Sequence, residues 1–474
     1  MSKPGRSVEA SQRASSERML LGGRLEGKSL PRQVAILAVW PLLEQVLTFC
    51  VGTTDLVISG RMASGDERTA VLDAMGLGGY VAWFFNILQV AVATGVMALV
   101  SRATGARDRG LGEKALGQGV WLGAAAGCLS LGALQAGIPM LIRWIGLSPE
   151  AAVQAEVYLR TFAWSGPFSG VMFAINAALR GSGDTRTPFI GMVVVNLVNI
   201  GMSWFFVFGP EPWGGRGIEG IAMGTVAGWI AGLAVVAGLV GRTGDTLRWA
   251  WRGLKPQWET MQRVLRVGAP QSIEIAGMWG IHAYGIRVIS RLPEEGALGA
   301  HILAIRVESM SFLPGFAVAT AAAALVGQYL GAGSRDMAVK SVRLCWKLGA
   351  AIMGGMGLMF VLFGRRIIEA IAPDSAMHVE MAAPLLVVCA LAQPFFATCI
   401  VLKTTMRGAG ATAMVIRYSF LSMIFYRVGM LALFSHLGRI DLVTVWIILS
   451  LDLFTQALIF ARLHFRGKWL DAKV

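Results

Sequence analysis

Continuously apolar runs, each long enough to cross a bilayer, recur along this chain and leave very few folds open to it. They fall near 34–59, 77–100, 115–141, 155–179, 188–208, 218–241, 267–290, 298–326, 344–363, 380–402, 413–435 and 442–461. A hydrocarbon core about 30 Å thick takes roughly 20 residues of α-helix. Within it no water meets the backbone amides, so such runs must close their hydrogen bonds internally, as helices. A barrel strand would be roughly 10 residues of alternating polarity, which these runs are not. The expected fold is an all-α polytopic membrane protein of twelve transmembrane helices. Only 15% of residues are charged, against roughly 25% in a soluble domain whose whole surface faces water.

The net charge of +14 does not mark a nucleic-acid partner, because the basic residues are not gathered on one groove. They sit in alternate loops: Arg24, Lys28 and Arg32 before the first run, Arg102, Arg107, Arg109 and Lys114 after the second, Arg242 to Arg266 after the sixth. Arg335, Lys340 and Arg343 follow the eighth, and Arg462, Arg466, Lys468 and Lys473 close the chain. The intervening loops, such as 210–219, are poorer in Lys and Arg. By the positive-inside bias both termini are expected on the cytoplasmic side of a plasma membrane, a bacterial inner membrane, with an even number of spans. Residues 1–33 lack the apolar core of a signal peptide. The five cysteines and five histidines are dispersed, so neither a disulfide framework nor a metal centre is expected.

The second half repeats the first. At an offset of about 226 residues, AVATGVMALVSRATGA at 91–106 meets AVATAAAALVGQYLGA at 317–332. One residue further, LRGSGDT at 179–185 meets MRGAGAT at 406–412. Pro41 and Pro270 each precede a glutamate, Glu44 and Glu274. Two pseudo-symmetric six-helix bundles follow: a basic tail at 1–33, an N-terminal lobe at 34–241, a linker at 242–266, a C-terminal lobe at 267–463 and a tail at 464–474. Parallel repeats of this kind place a transport path near the membrane midplane.

On RGSGDT, RGAGAT, the stretch at 300–333 and the Pro41…Asp55 pattern of the first span, the chain resembles the multidrug and toxic compound extrusion (MATE) family. The resemblance implies two six-helix lobes in a V and cation-coupled export, by H⁺ or Na⁺, of amphipathic or cationic compounds by alternating access. It implies drug-like small molecules and membrane lipid as partners, a monomer, and no cofactor beyond the transported ion.

Ionisable groups inside spans cost roughly 2.5–3.5 kcal/mol each on insertion scales and are functional candidates by default. Asp55 corresponds to the family's first-lobe aspartate, which the resemblance makes the coupling residue, a proton acceptor or Na⁺ ligand, with Asn176 and Asn199 around it. Glu44 lies three turns earlier on the same helix face, about 16 Å away along the axis. It either lines the same cavity or reaches the cytoplasmic interface. Glu274, Glu308 and Gln271 are secondary coupling or substrate candidates, with Glu308 expected to pair with Arg287 across helices. Against the pattern the resemblance implies, Ser203, and either Phe395 or Phe396, stand where some family members carry acids, which favours H⁺ coupling through the first lobe. Phe168, Met172, Gln393 and Phe396 suit an adaptable apolar pocket and equally suit helix packing.

Two other functions compete. A lipid-linked oligosaccharide flippase would favour a strongly basic cavity, whereas the spans here look acidic or neutral. A membrane-embedded enzyme would need a nucleophile or metal with convergent partners at one depth, and a nucleotide-driven pump would need a phosphate-binding loop. Neither pattern is present in the sequence.

Overall fold

The computed structural model describes residues 21–62, 65–145, 147–240, 242, 247–371 and 376–472. They are almost wholly helical. The long helices are α1 (Leu30–Met62), α2 (Gly65–Phe85 and, past a break at Asn86, Ile87–Gly105), α3 (Arg109–Ile145), α4 (Pro149–Phe162 and Gly166–Ser182, joined by a tight turn), α5 (Arg186–Phe208) and α6 (Gly217–Leu239). The second set is α7 (Trp258–Ile289), α8 (Ala297–Gly331), α9 (Arg335–Ile371), α10 (Ala376–Gly408), α11 (Thr412–His436, with a π-helical turn inside) and α12 (Leu442–Arg466). Ten of them, α2–α6 and α8–α12, are long and apolar enough to cross a membrane. The other two carry Glu44 and Asp55 (α1) and Glu274 (α7). The chain is an all-α, multi-pass membrane protein.

Helices outrun the apolar windows seen in the sequence. α9 has 37 residues, about 55 Å at 1.5 Å per residue, well beyond the hydrocarbon core. Its first turns carry Arg335, Asp336 and Lys340, and Lys340 bonds Asp336 at 2.7 Å one turn back. Hydropathy registers only the part of a helix that lipid sees.

The chain forms two compact units, one of Met1–Gly27 with Val39–Ser272 and the other of Lys28–Ala38 with Ile273–Val474. In the first, α5 packs along α6, α3 along the second half of α4, and the first half of α2 against the first half of α4. One apolar core there gathers Val71, Ala74, Leu159, Phe162 and Ile221. In the second, α10 is central, packed by α8, α9 and α12. The segment before α7 is tied down by one buried amide. Gln118 of α3 donates to the carbonyls of Gly253 and Lys255, both at 2.8 Å, and accepts from the Gln257 amide at 2.9 Å.

Helix contact in the first unit runs through glycines spaced four apart. A Cβ at Gly123 or Gly127 of α3 would collide with the Gly170 or Gly166 carbonyl of α4. On α6, Gly224, Gly228 and Gly232 let α5 approach: a Cβ at Gly228 would stand 2.7 Å from the Val195 carbonyl oxygen and 3.2 Å from the Asn199 Cβ. Lipid tails are as apolar as leucine, so helices associate through close packing rather than hydrophobic exclusion, and small residues permit it.

The repeated sequences build repeated turns. Gly183 and Gly410 both close their helices in the left-handed region, at φ 94° and 95°. In both, the glycine amide bonds the arginine carbonyl, Arg180 at 3.1 Å and Arg407 at 2.9 Å. The amides of Asp184 and Ala411 then reach back to Leu179 and Met406, each at 2.8 Å. A second equivalence lies at the ends of α2 and α8, where Arg107 (φ 57°) matches Gly333 (φ 75°). A residue with a Cβ pays roughly 1–2 kcal/mol in that region. Arg107→Gly is therefore expected to stabilise the protein by about 0.5–1 kcal/mol, net of the glycine's greater freedom when unfolded. Thermal unfolding in detergent checks it. Gly123→Leu should prevent stable folding.

Candidate cation-coupling site

Buried carboxylates in this structure divide by what faces them. Glu44 of α1 accepts from Arg180 of α4 at 2.5 Å. Its repeat equivalent, Glu274 of α7, sits between Arg407 at 2.7 Å and Lys403 at 3.2 Å, both of α10. The arginine of each RG(S/A)G turn thus clamps the glutamate that follows each proline. Asp184 in the first of those turns takes Arg24 at 2.8 Å, caps α5 through the amides of Arg186 and Thr187 at 3.1 Å, and accepts the Thr187 hydroxyl at 2.7 Å. Asp452 of α12, fully buried, takes Arg427 of α11 at 2.5 Å, with the Ser422 hydroxyl at 2.6 Å and the Gln456 amide at 2.8 Å.

Among the described residues Asp55 has no such partner. It is 7% exposed, and among the described residues no Lys, Arg or His pairs with it. Its neighbours are neutral. Turned so that both ends of its amide are satisfied, Asn199 of α5 donates to Asp55 Oδ1 at 3.2 Å while its oxygen faces the Thr225 hydroxyl of α6 at 3.1 Å. The buried Tyr158 of α4 feels the Asp55 charge. Two glycines set this geometry, Gly228 beneath Asn199 and Gly78, where a Cβ would strike the Tyr158 ring. An ionised carboxylate taken out of water with no positive neighbour bears an uncompensated desolvation cost. A proton or a small cation relieves it.

The other sequence candidates are placed as follows. Asn176 is buried with its amide oxygen unpartnered and makes no hydrogen bond to Asp55. Gln271 is buried, its amide oxygen also unpartnered. Gln393 joins helices, accepting from Ser311 of α8 at 3.0 Å and donating to Cys389 at 3.0 Å. Met172 is fully buried against Gly191 and Gly232. Phe168 is half-buried, and Phe396 packs edge-on to Phe312 at 5.9 Å. The expected Glu308–Arg287 pair does not form: Arg287 is exposed, while Glu308 lies near Cys389 and Arg427. The rotation of α7 leaves Arg287 exposed, so the two charges do not meet.

The family model MatE matches residues 42–205 and, again, residues 270–433, one copy in each half. The chain belongs to the MatE family. Members are transporters, not enzymes. Among its relatives is a probable multidrug resistance protein NorM of Thermotoga maritima, 25% identical, the alignment covering 94% of each chain. Another is the probable multidrug resistance protein YoeA of Bacillus subtilis, 23% identical over 91% of this chain and 93% of that one. Among solved structures, a transporter of the MOP superfamily from Pyrococcus furiosus superposes with a TM-score of 0.82 at 19% identity, covering 96% of this chain and 98% of the other. The MATE transporter VcmN of Vibrio cholerae gives 0.82 at 17% identity over 93% and 98%. They share the fold.

Asp452 and Arg427 of this MatE chain were missed by sequence reasoning. The signal was there, since each is an ionisable residue inside an apolar run, the same mark that singled out Asp55. Lys403, one residue past its run, was likewise not singled out.

The two kinds of carboxylate should respond oppositely to neutralisation. Glu274→Gln strands two buried cations and should cost about 3–5 kcal/mol of stability. Asp55→Asn removes an uncompensated charge and should leave the unfolding temperature unchanged or raised. Thermal unfolding of the two purified variants, in detergent at neutral pH, compares them.

Proposed function

We propose that the chain is a secondary active multidrug antiporter, exporting amphipathic or cationic compounds in exchange for H⁺, or Na⁺, by alternating access. One observation carries the coupling: Asp55 is buried in α1 and, among the described residues, has no positive partner. In the outward-open protein an incoming ion neutralises Asp55. The Asn199 contact, made to a charged carboxylate, weakens, α1 repacks against α4 and α5, and the bound compound leaves. The multidrug resistance names of the relatives support drug-like small molecules as the cargo. The proposal needs no cofactor, since the ion is itself cargo.

Of the two ions, H⁺ fits better. Assigned so that Asp55 and Thr225 are both satisfied, the Asn199 amide donates to Asp55. Ser203, with Phe395 or Phe396, stands where further acids would be needed for a second oxygen-rich site. Sodium at Asp55 is the second reading. The remaining parts of the proposal rest on the sequence: lobes at 34–241 and 267–463, a 242–266 linker, a monomer in lipid, and cytoplasmic termini.

Dye efflux from proteoliposomes, driven separately by ΔpH and by ΔNa⁺, tests the function. ΔpH-driven efflux is expected, with Asp55→Asn at background while the protein still reconstitutes. Gradient-driven efflux by Asp55→Asn at the wild-type rate would refute the coupling role. Gly228→Ala, which pushes Asn199 away but keeps the carboxyl, should slow efflux by roughly ten-fold, the rate equivalent of about 1.4 kcal/mol.

A further inference from the structure

The second unit holds a cavity of about 20 Å³ that the coupling scheme does not use. Its polar walls are His282 of α7, His301 of α8 and Arg427 of α11, and the rest is glycine and aliphatic side chain, among them Ile286, Leu431 and Val445. The volume exceeds the ~10–15 Å³ that one water needs and is far below the roughly 300 Å³ at which drug pockets begin. It takes one small particle.

Hydrogen-bond accounting says which kind. Arg427 spends its Nε on Asp452, and its terminal nitrogens have no hydrogen-bond partner among the described residues. Asp452 is fully used, one oxygen by Arg427 and the other by Ser422 and Gln456. The Trp446 indole donates to His301 Nδ1 at 3.1 Å, so in the neutral ring the proton is on Nε2, with no acceptor to meet it. Among the described residues the His282 ring makes no hydrogen bond, packing edge-on to Trp279 at 5.6 Å. Neutral or charged, an imidazole keeps at least one N–H. Three side chains therefore can offer donors to one small space, and among the lining side chains only the unprotonated nitrogen of a neutral His282 ring can accept. The π-helical turn Ile424–Met430 carries Arg427, and such turns occur where a side chain must be set off the regular helical register.

A water molecule suits this site poorly. It would accept from two donors and find a side-chain acceptor, the bare nitrogen of a neutral His282, for only one of its two hydrogens. An anion accepts from all three, Arg427 offering the terminal nitrogens that its pairing with Asp452 through Nε leaves over. We propose that this cavity binds a small monovalent anion, a halide, within the second unit and separately from Asp55.

Bromide is the probe. The purified protein is unfolded thermally in sodium bromide against sodium gluconate, at fixed sodium and fixed ionic strength. The expected result is a saturable rise of the unfolding temperature with bromide, whose midpoint shifts at least ten-fold upward in the His282→Leu/His301→Leu double variant. That variant keeps the Arg427–Asp452 pair. If it does not fold, His282→Leu alone, which loses no hydrogen bond within the protein, carries the same expectation of a weakened midpoint. Crystals soaked in bromide should show anomalous density between the three side chains. An unfolding temperature insensitive to the halide, or a bromide curve identical in the variants, overturns the site.

Discussion

In hydrocarbon nothing outside the chain can satisfy a backbone amide, and nothing outside it drives one helix against another. The first condition makes every spanning segment a helix. The second leaves close packing to hold the helices together. In this protein that packing is bought with glycine. Gly123 and Gly127 against Gly166 and Gly170, and Gly224, Gly228 and Gly232 against α5, bring backbones within reach of each other. The same approach places Asn199 beside Asp55, so the packing device and the candidate site are one structure.

Once helices touch at such distances, an ionisable group between them must find a counter-charge. The two halves solve this identically at one place, where the arginine of each glycine turn meets the glutamate after each proline, Arg180 with Glu44 and Arg407 with Glu274. Elsewhere they diverge. The first unit leaves Asp55 with an amide and a phenol ring for company. The second pairs its deep acid, Asp452, with Arg427 and still has donors left over around a small cavity. One repeated frame thus carries its charge balance broken in opposite senses, an acid beside neutral groups in one unit and spare donors beside a paired acid in the other.

Much of this was legible in the residues. The apolar runs stated the helices, and the paired motifs stated the repeat: Gly183 and Gly410 occupy the same left-handed turn, and both copies match one family model. Helix ends were less legible, since α9 extends well past its apolar window as a solvated, ion-paired helix. Pairings across helices were least so. Glu308 and Arg287 have suitable charges on adjacent spans, yet Glu308 lies near Cys389 and the rotation of α7 leaves Arg287 outside.

Sequence alone thus determined the helical membrane fold, its duplication and the presence of acids within spans, because hydropathy and small-residue turns are properties of the chain read in order. Which acid is left without a counter-charge was a tertiary decision. Asp55, Glu274 and Asp452 look alike as single carboxylates in apolar runs. Only the packing of α4, α5, α10 and α11 around them put Arg407, Lys403 and Arg427 next to two of the three and a neutral asparagine next to the other.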